Sequence, residues 1–505
     1  MNLFLKKSIT QLLADAKETD KSLKRTLSAS SLVALGIGAI IGAGLFVRTA
    51  AAAAQHAGPA VTIGFLIASI GCALAGLCYA ELSSSIPIAG SAYTYSYATM
   101  GELIAWIIGW DLILEYAVGA ATVGIAWTEY LNNLLVNVIG TSPIPYELSH
   151  SPFETSLDGL HTGIINLPAL LIVTILTFLL IKGTHESALV NGIIVVAKVA
   201  IVILIIVIGW GFINPVNHTP YIPPAGTYTD NQGITFDYGG ILGILGAAGV
   251  VFFAFIGFDA VSTTAQEAKD PKKDMPIGIL GSLAVCTVLY ILFGHVLTGV
   301  ASIEDFRTTG REASVAFAIN KYMTGYAWLG HTVTIAILFG FSSVILVMLL
   351  GQSRVFYAMS CDGLMPKMFS QLHPKYKTPY KANLFILILV GLFAAFVPGD
   401  IVGDMTSIGT LFAFMLVCGA VIILRKTNPD LPRQFKTPWV PFVPIAGIVV
   451  CGLMIYGLGW LNWLRLFIWL AIGLAIYFLY SRKHSLLQKG ILVDPKDPPA
   501  PKIEE

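Results

Sequence analysis

Charge is what this 505-residue sequence has least of, since Asp, Glu, Lys and Arg together make up 12% of it, about half the share usual in a soluble domain. Together with 56% hydrophobic residues and a mean hydropathy of +0.77, that scarcity excludes an ordinary soluble globular protein. Polar stretches of domain size are also missing, so one membrane domain fills the chain. A formal net charge of +1 gives no support to a nucleic-acid partner. The six cysteines (Cys72, Cys78, Cys286, Cys361, Cys418, Cys451) lie in apolar runs or beside the basic DGLMPK loop, which excludes an extracellular disulfide framework. The spans hold neither HExxH nor GxSxG, and the nine histidines show no Cys/His spacing, so no enzyme, metal site or cofactor is expected. Nothing in the sequence identifies an accessory subunit.

Long apolar runs are what the sequence has instead. Crossing a bilayer takes about 20 apolar residues in a helix, and such runs occur at 31–54, 60–83, 104–128, 163–181, 187–212, 240–264, 277–301, 328–356, 382–398, 407–424, 438–459 and 463–481. The first is too long for a signal h-region and stays as a helix. Lys and Arg gather in alternate connections, at Lys182, at Lys269 to Lys273, from Arg354 to Lys381, from Arg425 to Lys436 and in the tail after Arg482. The positive-inside rule then puts both termini in the cytoplasm of a multi-pass protein of the inner or plasma membrane. Arg48, Arg307, Arg311 and Lys321 are exceptions. Residues 1–30 form a cytoplasmic segment, in which Leu3 to Lys17 has the spacing of an amphipathic helix lying on the leaflet, with a frayed tail as the alternative. The proline- and charge-rich end of the tail at 482–505 is expected to be disordered.

Glycine punctuates two runs. The first reads SLVALGIGAIIGAGLFV, with Gly36, Gly38, Gly42 and Gly44, each costing about 1 kcal/mol relative to Ala in a helix. Close helix packing through small residues is one explanation. The other is an unwound step, which survives at membrane depth only where a cavity or protein satisfies it. The sixth run, FFAFIGFDAVSTTAQEA, repeats the anomaly around Gly257, spanning Ala254 to Gly257. Two breaks five helices apart are the signature of an inverted-repeat transporter. The amides of Ala43 and Gly44, after Gly42, would head a half-helix and suit a carboxylate. The carbonyls of Ile40, Phe253 and Ile256 would suit an ammonium group. A ligand carrying both groups a few ångströms apart is an α-amino acid.

These motifs, with AGPA at Ala57 to Ala60, LAGLCYAELSSSIPIAGSAYTYSYATMGELIAWIIGWDLILEY, and SRVFYAMSCDGLMPK followed by KTP at Lys377, resemble the amino acid–polyamine–organocation transporters, and within them the cationic amino acid transporter branch. The resemblance implies an all-α membrane protein of about 12 helices with the leucine-transporter type of fold. Five helices over 31–212 and five inverted ones over 240–424 would be followed by two more at 438–481. It also implies alternating access, with Phe253 as an aromatic gate over the substrate.

Glu115 in the third run and Lys198 in the fifth lie deep within spans, where facing lipid would cost about 2.5–3.5 kcal/mol each. A structural ion pair between them is the plain reading. By resemblance to bacterial members, a lysine on the fifth helix stands where sodium-coupled relatives bind their cation, so Lys198 becomes the proton-coupling residue with Glu115 as its partner. Glu115 admits a second use, against the side chain of a lysine or arginine substrate. If Lys198 occupies it, proton symport of a small neutral amino acid, alanine first, follows; the alternative is a cationic amino-acid uniporter or exchanger. Asp111 and Asp259 read as helix-terminal or interhelical hydrogen-bonding residues and Glu81 and Glu102 as anchors at the membrane surface, while the resemblance to the family's eighth-helix signature implies inner-gate contacts for Arg354 and Asp362, with a cytoplasmic topology determinant as the alternative for Arg354.

Overall fold

The computed structural model describes residues 3–8, 27–86, 91–156, 159–183, 188–230, 233–264, 268–308, 314–433 and 435–490. Its helices of six residues or more are α1 (Ala29–Ile40), α2 (Val61–Ser85), α3 (Ser91–Thr99), α4 (Glu102–Ile113), α5 (Gly119–Asn133), α6 (Leu167–Ile181), α7 (Ala188–Gly209) and α8 (Gly240–Phe252), and then α9 (Pro271–Val300), α10 (Ile303–Thr308), α11 (Ser314–Tyr322), α12 (Ala327–Cys361), α13 (Tyr380–Phe396), α14 (Gly399–Thr427), α15 (Phe442–Gly457) and α16 (Trp460–Ile476). Among the described residues seven helical stretches are long and apolar enough to cross a membrane, and five shorter apolar helices accompany them. The molecule is a helical membrane protein. Rows of exposed Leu, Ile, Val and Phe, such as Ile193, Val196, Ile203 and Val207 along α7, recur on one side of a helix, as a lipid-facing surface requires.

The fold is not wholly α-helical. Strands β1 (Gly226–Thr229) and β2 (Thr235–Tyr238) form an antiparallel hairpin in which Gly226 lies opposite Tyr238 and Thr229 opposite Thr235. The sequence shows only a connection here, because four-residue strands carry too little alternation to read. The hairpin is seated just after the first run, the Gly239 amide donating to the His56 carbonyl at 2.7 Å. The Arg307 guanidinium lies over the rings of Tyr228 and Tyr238, 4.3 and 4.6 Å from their centroids.

Two groups of helices organise the interior. Helix α9 packs on both α1 and α2, and α2 on α8; α5 packs on α12 and α6, and α13 on α6 and α12. Helix starts show local capping, Ser28 Oγ accepting from the Ser31 amide ahead of α1 and Asn166 from the Ala169 amide in α6, as small polar residues do at that position. Several helices overrun the apolar runs that mark them, α14 starting at Gly399 rather than near 407 and α9 at Pro271 rather than near 277, because their first turns are polar.

Both terminal segments dock at one end of the bundle. Residues 3–8 are not helical; the Leu3 and Leu5 carbonyls accept from the Leu103 and Glu102 amides, and the Lys7 amide donates to the Tyr97 carbonyl. This corrects the amphipathic-helix expectation over those residues, while residues 9–26 lie outside the described ones. At the same end the Leu486 amide donates to the Asp362 carbonyl at 3.0 Å. The expected disordered tail, from 491 onward, also lies outside the described residues.

Glu81 and Glu102 are not surface anchors; both are fully buried. Glu102 accepts from the hydroxyls of Tyr97 and Tyr477 at 2.9 and 3.0 Å. Glu81 takes Arg425 through Nε at 2.9 Å and Nη2 at 2.7 Å, the Thr437 amide at 2.7 Å, and Arg433 at 3.3 Å. Breaking such a buried pair from one side leaves the other charge uncompensated and typically costs about 3–5 kcal/mol. Glu81→Gln is therefore expected to lower the thermal unfolding midpoint of the purified protein by several degrees. An unchanged midpoint would show that solvent already compensates the two arginines.

Candidate functional site

Two interrupted helices meet in the middle of the molecule. Helix α1 stops at Ile40, Ile41 is extended at φ −72°, ψ 103°, and helical turns resume at Ala43 and continue to Ala57. In the sixth run α8 gives way to a 3-10 turn over Phe253–Phe255, Ile256 is extended at φ −58°, ψ 135°, and Gly257 has φ +113°, a value that side chains other than glycine resist. A Cβ added at Gly257 would lie 2.9 Å from the Ala39 carbonyl oxygen, and one added at Gly44 would run into the Cα and amide of Ala254. Each break thus carries a glycine where the other chain crosses it. Loss of the regular α-helical ladder at both places frees backbone polar groups from their usual partners.

The structure brings Gly44 against Ala254 and Gly257 against Ala39, and sets the Ile40 and Ala254 carbonyls around one hydroxyl, while Gly42 faces Val344. Ala43 and Gly44 stand in the first turn of the resumed helix, where amides lack intrahelical acceptors. Carbonyls differ in availability: that of Phe253 accepts from the Ile256 amide at 3.3 Å, and that of Gly42 from the Leu45 and Phe46 amides at 3.2 and 3.4 Å. The Phe253 side chain is 4% exposed, buried beside the break. On the end opposite the termini a cleft reaches down to Ala43, walled by Val47, Thr122 and Ala126 and rimmed by Arg48, Glu129 and Asp400.

Lys198 and Glu115 occupy separate places. The Lys198 ammonium donates to the Gly38 carbonyl at 3.0 Å, two residues before α1 ends, and its stem lies against Gly340 of α12, where an added Cβ would sit 2.9 Å from Cε. It lines a second, smaller cavity with Ile41, Gly42, Phe46 and Phe341. Glu115, fully buried, lies instead with Asp259 and Asp111, and the Tyr116 hydroxyl donates to Asp259 Oδ2 at 2.6 Å. No ion pair joins Lys198 to Glu115 among the described residues, and Glu115 lines neither cavity.

The family model described as amino acid permease matches residues 27–475. The chain belongs to the amino acid permeases. The permease is 45% identical over 488 residues to the branched-chain amino acid permease BcaP of Bacillus subtilis (strain 168), covering 97% of this chain and 99% of that one. It is 41% identical over 490 residues to the methylthioribose transporter of the same organism, with 97% and 100% covered. It is 28% identical to the vacuolar cationic amino acid transporter 4 of Arabidopsis thaliana, with 93% and 94% covered. The resemblance to the amino acid–polyamine–organocation transporters is thereby established, and these relatives are transporters, not enzymes.

Above and below the breaks the permease is braced by contacts the sequence did not reveal. Arg48, read only as an exception to the charge rule, is buried and paired with Asp400 at 3.1 Å and with Asp404, both on α14, while Gln55 and Asn462 add hydrogen bonds to the same acids at 3.3 and 3.2 Å. The signal was present as GDIVGD just ahead of the tenth run, two acids one helical turn apart with no basic neighbour. At the other end Asp362 pairs with Lys7 and accepts from the Tyr93 hydroxyl at 2.6 Å. These contacts join the terminal segment, α3 and the end of α12 beneath the breaks.

Proposed function

We propose that this permease carries neutral amino acids across the plasma membrane by proton-coupled symport and alternating access, with both termini cytoplasmic. The observation that carries the reading is the crossing of two interrupted helices at Gly44 with Ala254 and at Gly257 with Ala39. Exposed amides at the head of one half-helix offer a carboxylate site and nearby carbonyls an ammonium site, so the backbone recognises the part common to every α-amino acid. Twelve spans arranged as two inverted sets of five plus two belong to the same reading. The grouping of the first, second, sixth and seventh spans, apart from the third, fourth, eighth and ninth, supports it.

Alanine is the leading substrate. Likeness to permeases named for branched-chain amino acids extends the expected range to valine, leucine and isoleucine. A cationic side chain would need an acid beside the breaks; Glu115 lies with Asp111 and Asp259 away from both cavities, and the acids of the cleft stand at its rim, where Asp400 is paired with Arg48. Counterflow in proteoliposomes, with each of the twenty amino acids and methylthioribose offered in turn as the labelled solute against the same unlabelled solute inside, tests the reading. Exchange by alanine and the aliphatic amino acids is expected, with none by lysine or arginine. Exchange confined to the cationic amino acids, or to the sugar, would overturn it.

A further inference from the structure

Tyr290 stands on α9, outside both interrupted helices, and is fully buried. Its hydroxyl oxygen lies 3.0 Å from the carbonyl oxygen of Ile40, the last residue of α1, and 3.0 Å from that of Ala254, in the turn that follows α8. The ring is held between Phe65 of α2 and Phe255, with centroids 5.5 and 5.2 Å away, so the hydroxyl has little freedom to leave this position. One side chain from a third helix therefore reaches both breaks at once.

A phenolic hydroxyl carries one hydrogen. It donates fully to one carbonyl or is shared between the two, and in either case acceptor capacity is left over on carbonyls turned away from water. An α-ammonium group brings three hydrogens and a positive charge to such oxygens, and hydrogen bonds with an ionised partner are the stronger kind. We propose that Tyr290 is a positioning residue for amino-acid binding: its hydroxyl pins the Ile40 and Ala254 carbonyls side by side so that they receive the substrate ammonium. The inference rests on the amino-acid reading above and adds to it a residue and a group on the substrate. The Ala254 carbonyl thereby joins that of Ile40 in this role, beside the Phe253 and Ile256 carbonyls expected from the sequence.

The consequence is specific. Tyr290 acts on the backbone end of the substrate, so its loss should weaken every α-amino acid by the same factor, whatever the side chain. Tyr290→Phe keeps the ring and its packing and removes only the hydroxyl. Binding of alanine and of leucine to the purified full-length permease is measured by titration, alongside the unfolding midpoint of the ligand-free protein. The expected result is a Kd raised on the order of tenfold for both ligands, and in vesicles a raised KM with a smaller change in the maximal rate. A residue that only supports the fold would lower the ligand-free midpoint and leave both Kd values unchanged, and that result would overturn the proposal. Phe65→Leu is the packing control, expected to lower the midpoint without the common rise in Kd.

If Tyr290→Phe yields no folded protein, 3-fluorotyrosine at position 290 gives a second measurement in an otherwise unaltered site. Its fluorine resonance is expected to shift when saturating alanine is added, because the hydroxyl must share its carbonyls with the ammonium. A resonance unmoved by bound alanine would overturn the proposal. Should the unsubstituted permease bind no amino acid at all, the function proposed above fails first and this inference falls with it, an outcome distinct from equal binding by the two proteins.

Discussion

Gly44→Ala is expected to abolish uptake in reconstituted vesicles while leaving a protein that can be purified folded. The methyl group would enter the space of the Ala254 Cα and amide, which are backbone atoms and cannot rotate aside as a side chain can. The two breaks must separate, and overpacking of this kind costs about 1–3 kcal/mol. The larger loss is in binding, because amides and carbonyls that serve one zwitterion must keep their spacing, and each hydrogen bond to a charged group is worth about 1.5–3 kcal/mol. Together these predict a loss of roughly 100-fold or more in transport at low substrate concentration. Gly419→Ala provides the comparison. It lies within α14, an added Cβ meets nothing within 4 Å, and alanine favours a helix by about 1 kcal/mol over glycine, so uptake should be retained. Wild-type uptake by Gly44→Ala would mean that the breaks need not touch for transport.

The contrast between those two glycines is also the measure of what could be read in advance. Gly42, Gly44 and Gly257 were legible because they violate helix propensity inside apolar runs, and a violation of local preference at membrane depth calls for compensation elsewhere. The five-helix interval between them was equally visible in one dimension. Partners were not. Arg48 finds its acids some 350 residues away, and the paired acids of GDIVGD call for a cation without saying which one. Glu81 and Glu102 were misplaced because closeness to a loop reads as closeness to the surface, whereas the terminal segments and the connection after α14 fold back over them. Tyr290 looked like any tyrosine in an apolar helix; only the crossing of α1 and the sixth run in front of it gives its hydroxyl two carbonyls. Glu115 and Lys198 were each correctly picked out as costly residues, but cost does not specify a partner, and the structure sends Glu115 toward Asp259 and Lys198 toward the α1 backbone.

That placement of Lys198 gives the second large effect. Its ammonium ties α7 to the Gly38 carbonyl, in α1 just before the break, and its stem crosses Gly340 of α12. In the proposed alternating-access cycle, a change in its charge acts directly on how firmly that half-helix is held. Under the proposed symport, a movement of α1 that breaks this contact changes what holds the ammonium. Lys198→Ala is therefore expected to uncouple the permease. Counterflow of alanine should persist, since the backbone site is intact, but accumulation against a gradient should fall to near unity. In the unsubstituted protein one proton moving through about 100 mV supplies about 2.3 kcal/mol, enough for on the order of fifty-fold accumulation of a neutral substrate. Alanine-dependent acidification of the vesicle interior, recorded with a trapped pH dye, checks the same point without relying on flux. Undiminished proton uptake in Lys198→Ala would remove Lys198 from the coupling mechanism and direct the search to the buried carboxylates Asp111, Glu115 and Asp259.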